Sequence, residues 1–238
     1  MLIYRILILS VLLLLPSASW AAIAFVSSVS AGSPDSHTFT TGTLDSSGAN
    51  LLVCGISQTD GTANAVITDS KSNTWLTTPT TINANSLKSF IVFAKGATVG
   101  SGHTFTVTGA AKFASIGCLA FSGADTITAL DVENGASAAS GTSLAAGSIA
   151  AATGAVAVTV INPGIPGATP TIDTGFTKQE NIDLLGAAQY PMAIAYKLSS
   201  GTTNPTWSWT GSSAVTIKIA SFLANATVTN NSLFILGR

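Results

Sequence analysis

The chain is expected to fold as an all-β antiparallel sandwich built from two similar halves. Three observations carry that expectation. Beyond an apolar amino-terminal segment, no stretch places apolar residues at helical spacing. Short runs of β-branched and aromatic residues recur instead, broken every eight to twelve residues by Gly, Asn, Asp or Ser clusters, which is the punctuation of strands and turns. The order of those runs is then repeated once along the chain.

The first element stands outside this grammar. In "MLIYRILILSVLLLLPSASWAA" one basic residue, Arg5, precedes an apolar run from Ile6 to Leu15, a break at Pro16 and the small-x-small stretch Ser19-Trp20-Ala21. That is the layout of a secretory signal peptide over residues 1–21, cleaved after Ala21. The apolar run is too short for a bilayer span, which needs about 20 residues. No membrane span is expected once it is removed. The rest, about 217 residues, lies in the range of one all-β domain. We assign that domain to residues 22–225, with half-repeats over about 22–127 and 128–225. A tail, 226–238, follows; its apolar patch Leu233–Leu236 suggests a frayed end or a strand donated to another subunit.

Candidate strands follow in order: "IAFVSSV" from Ile23, "HTFTT" from His37, "NLLVCGIS" from Asn50, "AVITDS" from Ala65 and "NTWLTT" from Asn73. Then come "SFIVFAK", "HTFTVTG" and "FASIGCLAFSG", the last starting at Phe113. A later series reads "SLAAGSI", "AVAVTVIN", "PMAIAYKL", "PTWSWTG" and "VTIKIASFL". Displaced by 102 residues, Ser89–Phe121 lies on Pro191–Leu223 without a gap, pairing Lys95 with Lys197, Thr108 with Thr210 and Gly109 with Gly211. Upstream, Thr41–Ser57 resembles Ala146–Asn162 at nearly the same offset. A fixed offset of this kind marks an internal duplication. Two copies are too few for a solenoid, so the halves are expected to close on one another.

Composition narrows the function. Only 8% of residues are charged and the formal net charge is −1. No basic patch exists to neutralise phosphates, so nucleic acid is not an expected partner. A surface of hydroxyls and amides suits an exported adhesive or envelope protein. Cys54 and Cys118 are the two cysteines, each inside an apolar run. Export favours a disulfide between them, and a pair of small buried hydrophobes is the alternative; strand adjacency decides. The cysteines and the two histidines, His37 and His103, lack metal-ligand spacing, so no metal and no cofactor is expected. Both histidines sit in the repeated "HTFT" and read as strand-edge residues. His103 shares a face with Phe105 and Val107, and its counterpart in the second half is Pro205.

Other candidates for chemistry are sparse. A glycosidase needs two carboxyl groups flanking the bond. "LDVE" puts Asp131 and Glu133 on one face of an expected strand, about 7 Å apart, where edge charges that block strand addition serve equally well. No nucleophile elbow surrounds any serine. Asp69 and Asn73 in "TDSKSNTW" read as turn residues before calcium ligands. Trp207 and Trp209, at i and i+2, face the core by their alignment with Phe105 and Val107. Trp75 and Tyr190, at strand–loop junctions, are the candidate ligand-binding rings. No catalytic residue is assigned.

The hairpin "VITDSKSNTWLTT", the strand "FIVFAK" and the run "IGCLAFSGADTITALDVENGASAASGTS" resemble a jelly-roll, concanavalin-like β-sandwich module of bacterial secreted and surface-associated proteins. The resemblance covers roughly Ala22 to Asn225 and rests on turns and strand ends, so it implies fold and carries over no functional residue. The expectation is therefore a secreted, non-catalytic module, adhesive or structural, whose partner is an extracellular glycan, another surface protein or a second copy. A carbohydrate-binding, lectin-like domain is the alternative, and a polysaccharide hydrolase using Asp131 and Glu133 a more distant one.

Overall fold

A computed structural model describes residues 18–20, 22–33, 36–59, 63–109, 113–173, 175–182, 191–198 and 201–228. Among them are only strands and turns. The first half holds β1 (Ala18–Trp20), β2 (Ala24–Ser33), β3 (Thr38–Thr40), β4 (Leu51–Thr59), β5 (Val66–Asp69), β6 (Leu76–Thr77), β7 (Ile82–Ala84), β8 (Leu87–Lys95), β9 (Phe105–Thr108) and β10 (Phe113–Ser122). The second holds β11 (Leu130–Ala138), β12 (Ser143–Ala145), β13 (Ile149–Ala151), β14 (Val156–Pro163), β15 (Thr171–Ile172), β16 (Thr177–Ile182), β17 (Met192–Leu198), β18 (Gly201–Thr203), β19 (Thr206–Ser208), β20 (Val215–Phe222) and β21 (Ala226–Val228).

Strand order shows the duplication directly. A large sheet of the first half runs β2-β10-β4-β8-β6, with β7 also on β8, and a small one runs β3-β9-β5. The second half repeats both, as β11-β20-β14-β17-β16 and β12-β19-β15. All the pairs are antiparallel. In each large sheet the first strand in sequence lies beside the last, β2 beside β10 and β11 beside β20, an order compatible with a jelly-roll. Two ribbons complete the chain, β13 with β18 and β1 with β21. The second ribbon joins residues on either side of the expected 22–225 domain.

The halves do close on one another, but each also carries its own cover. The large sheets face each other across a core of Leu51, Val53, Ile91, Phe93, Leu119 and Phe121 against Val158, Val160, Ile194, Tyr196 and Phe222. The outer face of each large sheet packs on its own small sheet, through Cys54, Ile56, Phe105 and Val107 in one half and Ile161, Ile217, Trp207 and Trp209 in the other. The molecule is thus four layers deep. Its cause is visible in the strands: β4, β14 and β20 are buried at every position. A strand covered on both faces reads as a continuous apolar run, not as an alternation.

The constant offset of 102 residues needs correction. In the first half Val92, Cys54 and Cys118 form one rung across β8, β4 and β10. The matching rung in the second half is Ala195, Thr159 and Ile219. β17 is therefore displaced one residue more than 102, and β20 one residue less. The uncorrected offset lays Cys118, which faces its small sheet, on Ala220, which faces the other half. A slip of one residue turns a whole strand over, because side chains alternate with a period of two.

Next to that rung the two copies diverge in a complementary way. Ile91, Gly55 and Gly117 align across the first large sheet, and Ile194, Val160 and Lys218 across the second. The paired glycines make a hollow that receives the second sheet. A Cβ on Gly55 would lie 2.8 Å from Val160 Cβ, and one on Gly117 would lie 2.8 Å from Ile194 Cγ2. Gly55→Ala is expected to cost about 1–3 kcal/mol by overpacking. Gly42→Ala, with no atom within 4 Å of the added methyl, serves as the neutral control in the same urea titration.

Candidate functional site

One end of the first half gathers more polar chemistry than the fold needs. The turn after β5 is organised by Asp69, whose Oδ1 accepts the Lys71 amide at 2.7 Å and the Asn73 amide at 3.3 Å. Asp favours such turns because its carboxylate bonds the backbone that follows it. Asp69 Oδ2 accepts the Trp75 indole N–H at 2.7 Å. Asn73 exchanges two hydrogen bonds with Thr98, tying this turn to the loop after β8. The oxygens weighed as calcium ligands are thus occupied by N–H donors, and the turn reading describes them.

His103 stands at the centre of this end. It lies on the core side with Phe105, fully buried and stacked on that ring at 4.6 Å. Its Nδ1 is 2.9 Å from Ser46 Oγ, and its Nε2 is 3.3 Å from Asp69 Oδ1. Ser46 is also fully buried and contacts both the N–H and the carbonyl of Gly100 at 3.1 Å. Burial lowers the His103 pKa from its ordinary value, with Asp69 opposing and Lys71 adding to the shift. For Asp69, burial pushes upward but the Lys71 and Asn73 amides, the Trp75 indole and His103 outweigh it, leaving the carboxyl below its ordinary value. The serine and histidine are 57 residues apart in sequence, with the aspartate between them, and no motif announced their meeting; only the pairing of loops across the small sheet brings them together. They superficially share the composition of a hydrolase triad, but the serine has no exposed face from which to attack.

Trp75 lines an open cleft of about 300 Å³ with Asn64, Val66, Asn73, Thr77 and Val92. The indole is half-buried and meets Phe105 edge-on at 5.9 Å. Val66 is 62% exposed and adjoins it. The lining holds no charged side chain. Tyr190, the other candidate ring, lies outside the described residues. Trp207 and Trp209 are core residues, with their indole N–H groups donated to Thr159 and Ser213. Cys54 and Cys118 sit opposite one another on β4 and β10, 4.0 Å apart at Cα, and are disulfide-bonded.

Asp131 and Glu133 do not share a face. β11 is bulged between Leu130 and Glu133, and a bulge re-aims the side chains beyond it. Asp131 accepts from the Ala152 amide and the Ser221 hydroxyl, at 2.7 and 3.0 Å. Glu133 turns towards the seam between the halves, where Lys218 Nζ lies 2.7 Å from Oε2 and Thr80 donates its N–H and hydroxyl to Oε1. Lys218 is fully buried, which lowers its pKa against the opposing pull of Glu133. Sequence reasoning missed this pair because the lysine and the carboxylate come from different strands.

Among the described residues no group of three or more His, Cys, Asp and Glu is placed to hold a metal ion. Among them, too, no helix is long and apolar enough to cross a membrane. Comparison with protein-family models, with curated proteins and with solved structures finds no match.

Proposed function

We propose that this protein is an exported, non-catalytic module that acts by surface contact, adhesive or structural within an extracellular assembly. The observation that carries the reading is the character of the outer layers. On the small sheet of the first half, Thr38 aligns with Thr108 and Val66, and Thr40 with Thr106 and Thr68. On that of the second half, Ser143 aligns with Ser208 and Thr171. The four-layer stack thus presents low-charge, hydroxyl-rich faces on opposite sides, suited to contacts with more than one neighbour. The leader-like residues 1–21 and the Cys54–Cys118 bond support export, since disulfides persist in oxidising compartments. The likeness to concanavalin-like modules adds to the reading without contributing a residue. Light scattering over a concentration series tests it: growth of particle size supports a structural role, and a strictly monomeric protein that binds no extracellular surface sinks it.

The cleft at Trp75 favours a second reading, a carbohydrate-binding domain. A ring whose N–H is already donated offers only its face, which matches the C–H face of a sugar, while Asn64 and Thr77 offer polar groups beside it. Trp75→Ala is expected to lower binding on a glycan array about tenfold or more, and Trp75→Phe by less, because stacking survives. Equal binding by all three proteins removes the cleft from the account.

A further inference from the structure

The residues around His103 form a continuous chain of contacts, from Gly100 through Ser46, His103 and Asp69 to the Trp75 indole. The links join four stretches of chain: the β8–β9 loop, which carries both Gly100 and His103, the loop after β3, the end of β5 and the residue before β6. We propose that His103 is a pH-sensitive positioning residue whose protonation is transmitted through Asp69 to Trp75 and resets the cleft that this ring lines.

The proton positions follow from charge. The Asp69 carboxylate selects the tautomer with hydrogen on Nε2, since a bare nitrogen lone pair facing it is repelled. Nδ1 then accepts from the Ser46 hydroxyl, whose oxygen accepts from the Gly100 N–H. A second proton on the ring makes Nδ1 a donor, so the Ser46 hydroxyl must reverse. Its new acceptor is in place, because the Gly100 carbonyl is 3.1 Å from Ser46 Oγ. The Ser46 side of the ring survives protonation with its partners satisfied, and the change falls on Asp69, whose Oδ1 approaches Nε2 without completing a hydrogen bond. The 3.3 Å approach of Nε2 to Oδ1 becomes an ion pair that competes with the amides of Lys71 and Asn73 for the same oxygen. Oδ2 of that carboxylate holds Trp75, so rotation of the carboxylate is felt at the indole.

The charged groups around the ring are few. Asp69 faces it from β5, and Lys71 faces it from the following turn, its Nζ close to the Gly100 backbone. The Ser46 loop carries Asp45, whose carboxylate is engaged with the Ser47 amide, and neither the Gly100 loop nor β9 contributes a charge. The duplicated half is an internal control. There the Pro205 carbonyl accepts the Ala146 N–H as the His103 carbonyl accepts that of Leu44. The same small sheet forms with proline at that place, so the fold does not require the histidine network.

Burial lowers the affinity of His103 for its proton. The unfolded chain therefore binds that proton more readily than the folded one, and the linked stability is whole above about pH 6.5 and is lost as pH falls below it. The test follows the Trp75 Nε1–H resonance, identified by its loss in Trp75→Phe, in a pH titration of the intact protein from pH 8 to pH 4. The expected result is a single step with its midpoint below about 6.5, absent in His103→Gln and unchanged in His37→Gln. Ser46→Ala, which removes the reversible hydroxyl without touching the ring, is expected to move the midpoint lower and keeps the test open should His103→Gln fail to fold. A Trp75 resonance that stays still while His103 titrates overturns the proposal, as does a step that persists in His103→Gln.

Discussion

Cys54→Ala/Cys118→Ala is expected to lower the stability of the protein by about 4 kcal/mol, on the loop-entropy account of a cross-link closing 64 residues. Both sulfurs are fully buried between the first large sheet and its small sheet. Alanine leaves a small space there, and β4 and β10 remain in register through their other rungs. The bond therefore acts mainly on the unfolded chain, which without it explores far more conformations. Urea titration of the double variant should show a lower midpoint and a steeper slope, since a chain without the link exposes more surface on unfolding. The folded spectrum should be unchanged. A loss under about 1 kcal/mol contradicts the entropic account. A second consequence is that reductant should not reach the buried bond until the protein opens.

Glu133→Ala is the other large effect. Lys218 is fully buried at the seam between the halves, and the Glu133 carboxylate, 14% exposed, is its counter-charge. Removing it strands an ammonium in a medium that solvates it poorly, which costs about 3–5 kcal/mol when one partner of a buried pair is deleted. Thr80 Oγ1, 2.5 Å from Nζ, softens the loss without supplying charge. Lys218→Met should be milder, because the abandoned carboxylate keeps its Thr80 donors and some contact with water. The double variant should recover most of what Glu133→Ala loses, since two apolar groups can replace a buried ion pair at little cost. Denaturation of the four proteins forms the cycle. Equal losses from the two single variants would mean that the pair contributes through packing and not through charge. The same variant bears on the hydrolase alternative: a polysaccharide activity abolished at unchanged stability would return Glu133 to chemistry.

The seam shows why two copies of one motif need not stay alike. Val160 occupies the place in the second half that Gly55 occupies in the first, and the two meet face to face. Identical residues there would leave either a void or a clash. Around this apolar centre the seam becomes polar, with Ser89 bonded to Thr216 at 2.8 Å and Asn162 donating to the Gln58 and Lys88 carbonyls. These contacts set the angle and register of the two large sheets more specifically than apolar packing alone, because each polar group needs a partner once buried.

Much of the architecture was legible locally. The strand content, the repeat, the core position of Trp207 and Trp209 and the turn role of Asp69 all follow from alternation, spacing and the habits of Asp, Gly and Asn. Short strands were missed where the chain lacks such signals: β7, β15, β16 and β18 consist of polar or mixed residues that pair only because a neighbour offers an edge. The unbroken apolar character of "LLVCGIS" carried the sign of cover on both faces, and with it the four-layer stack, but that sign can be read only once the halves are known to be separate two-sheet units.

By itself the sequence determined that this is a twice-told all-β chain, because a strand and a turn are written in neighbouring residues. Tertiary structure alone decided which side of each strand faces the other half, since the loops change length by one residue and each such change inverts a face. It alone decided that Cys54 meets Cys118, that Glu133 parts from Asp131 to find Lys218, and that Ser46, His103, Asp69 and Trp75 form one chain of contacts. Contacts of that kind join residues far apart in sequence. Their energy depends on burial and on distances of about 3 Å, which no local pattern of residues encodes.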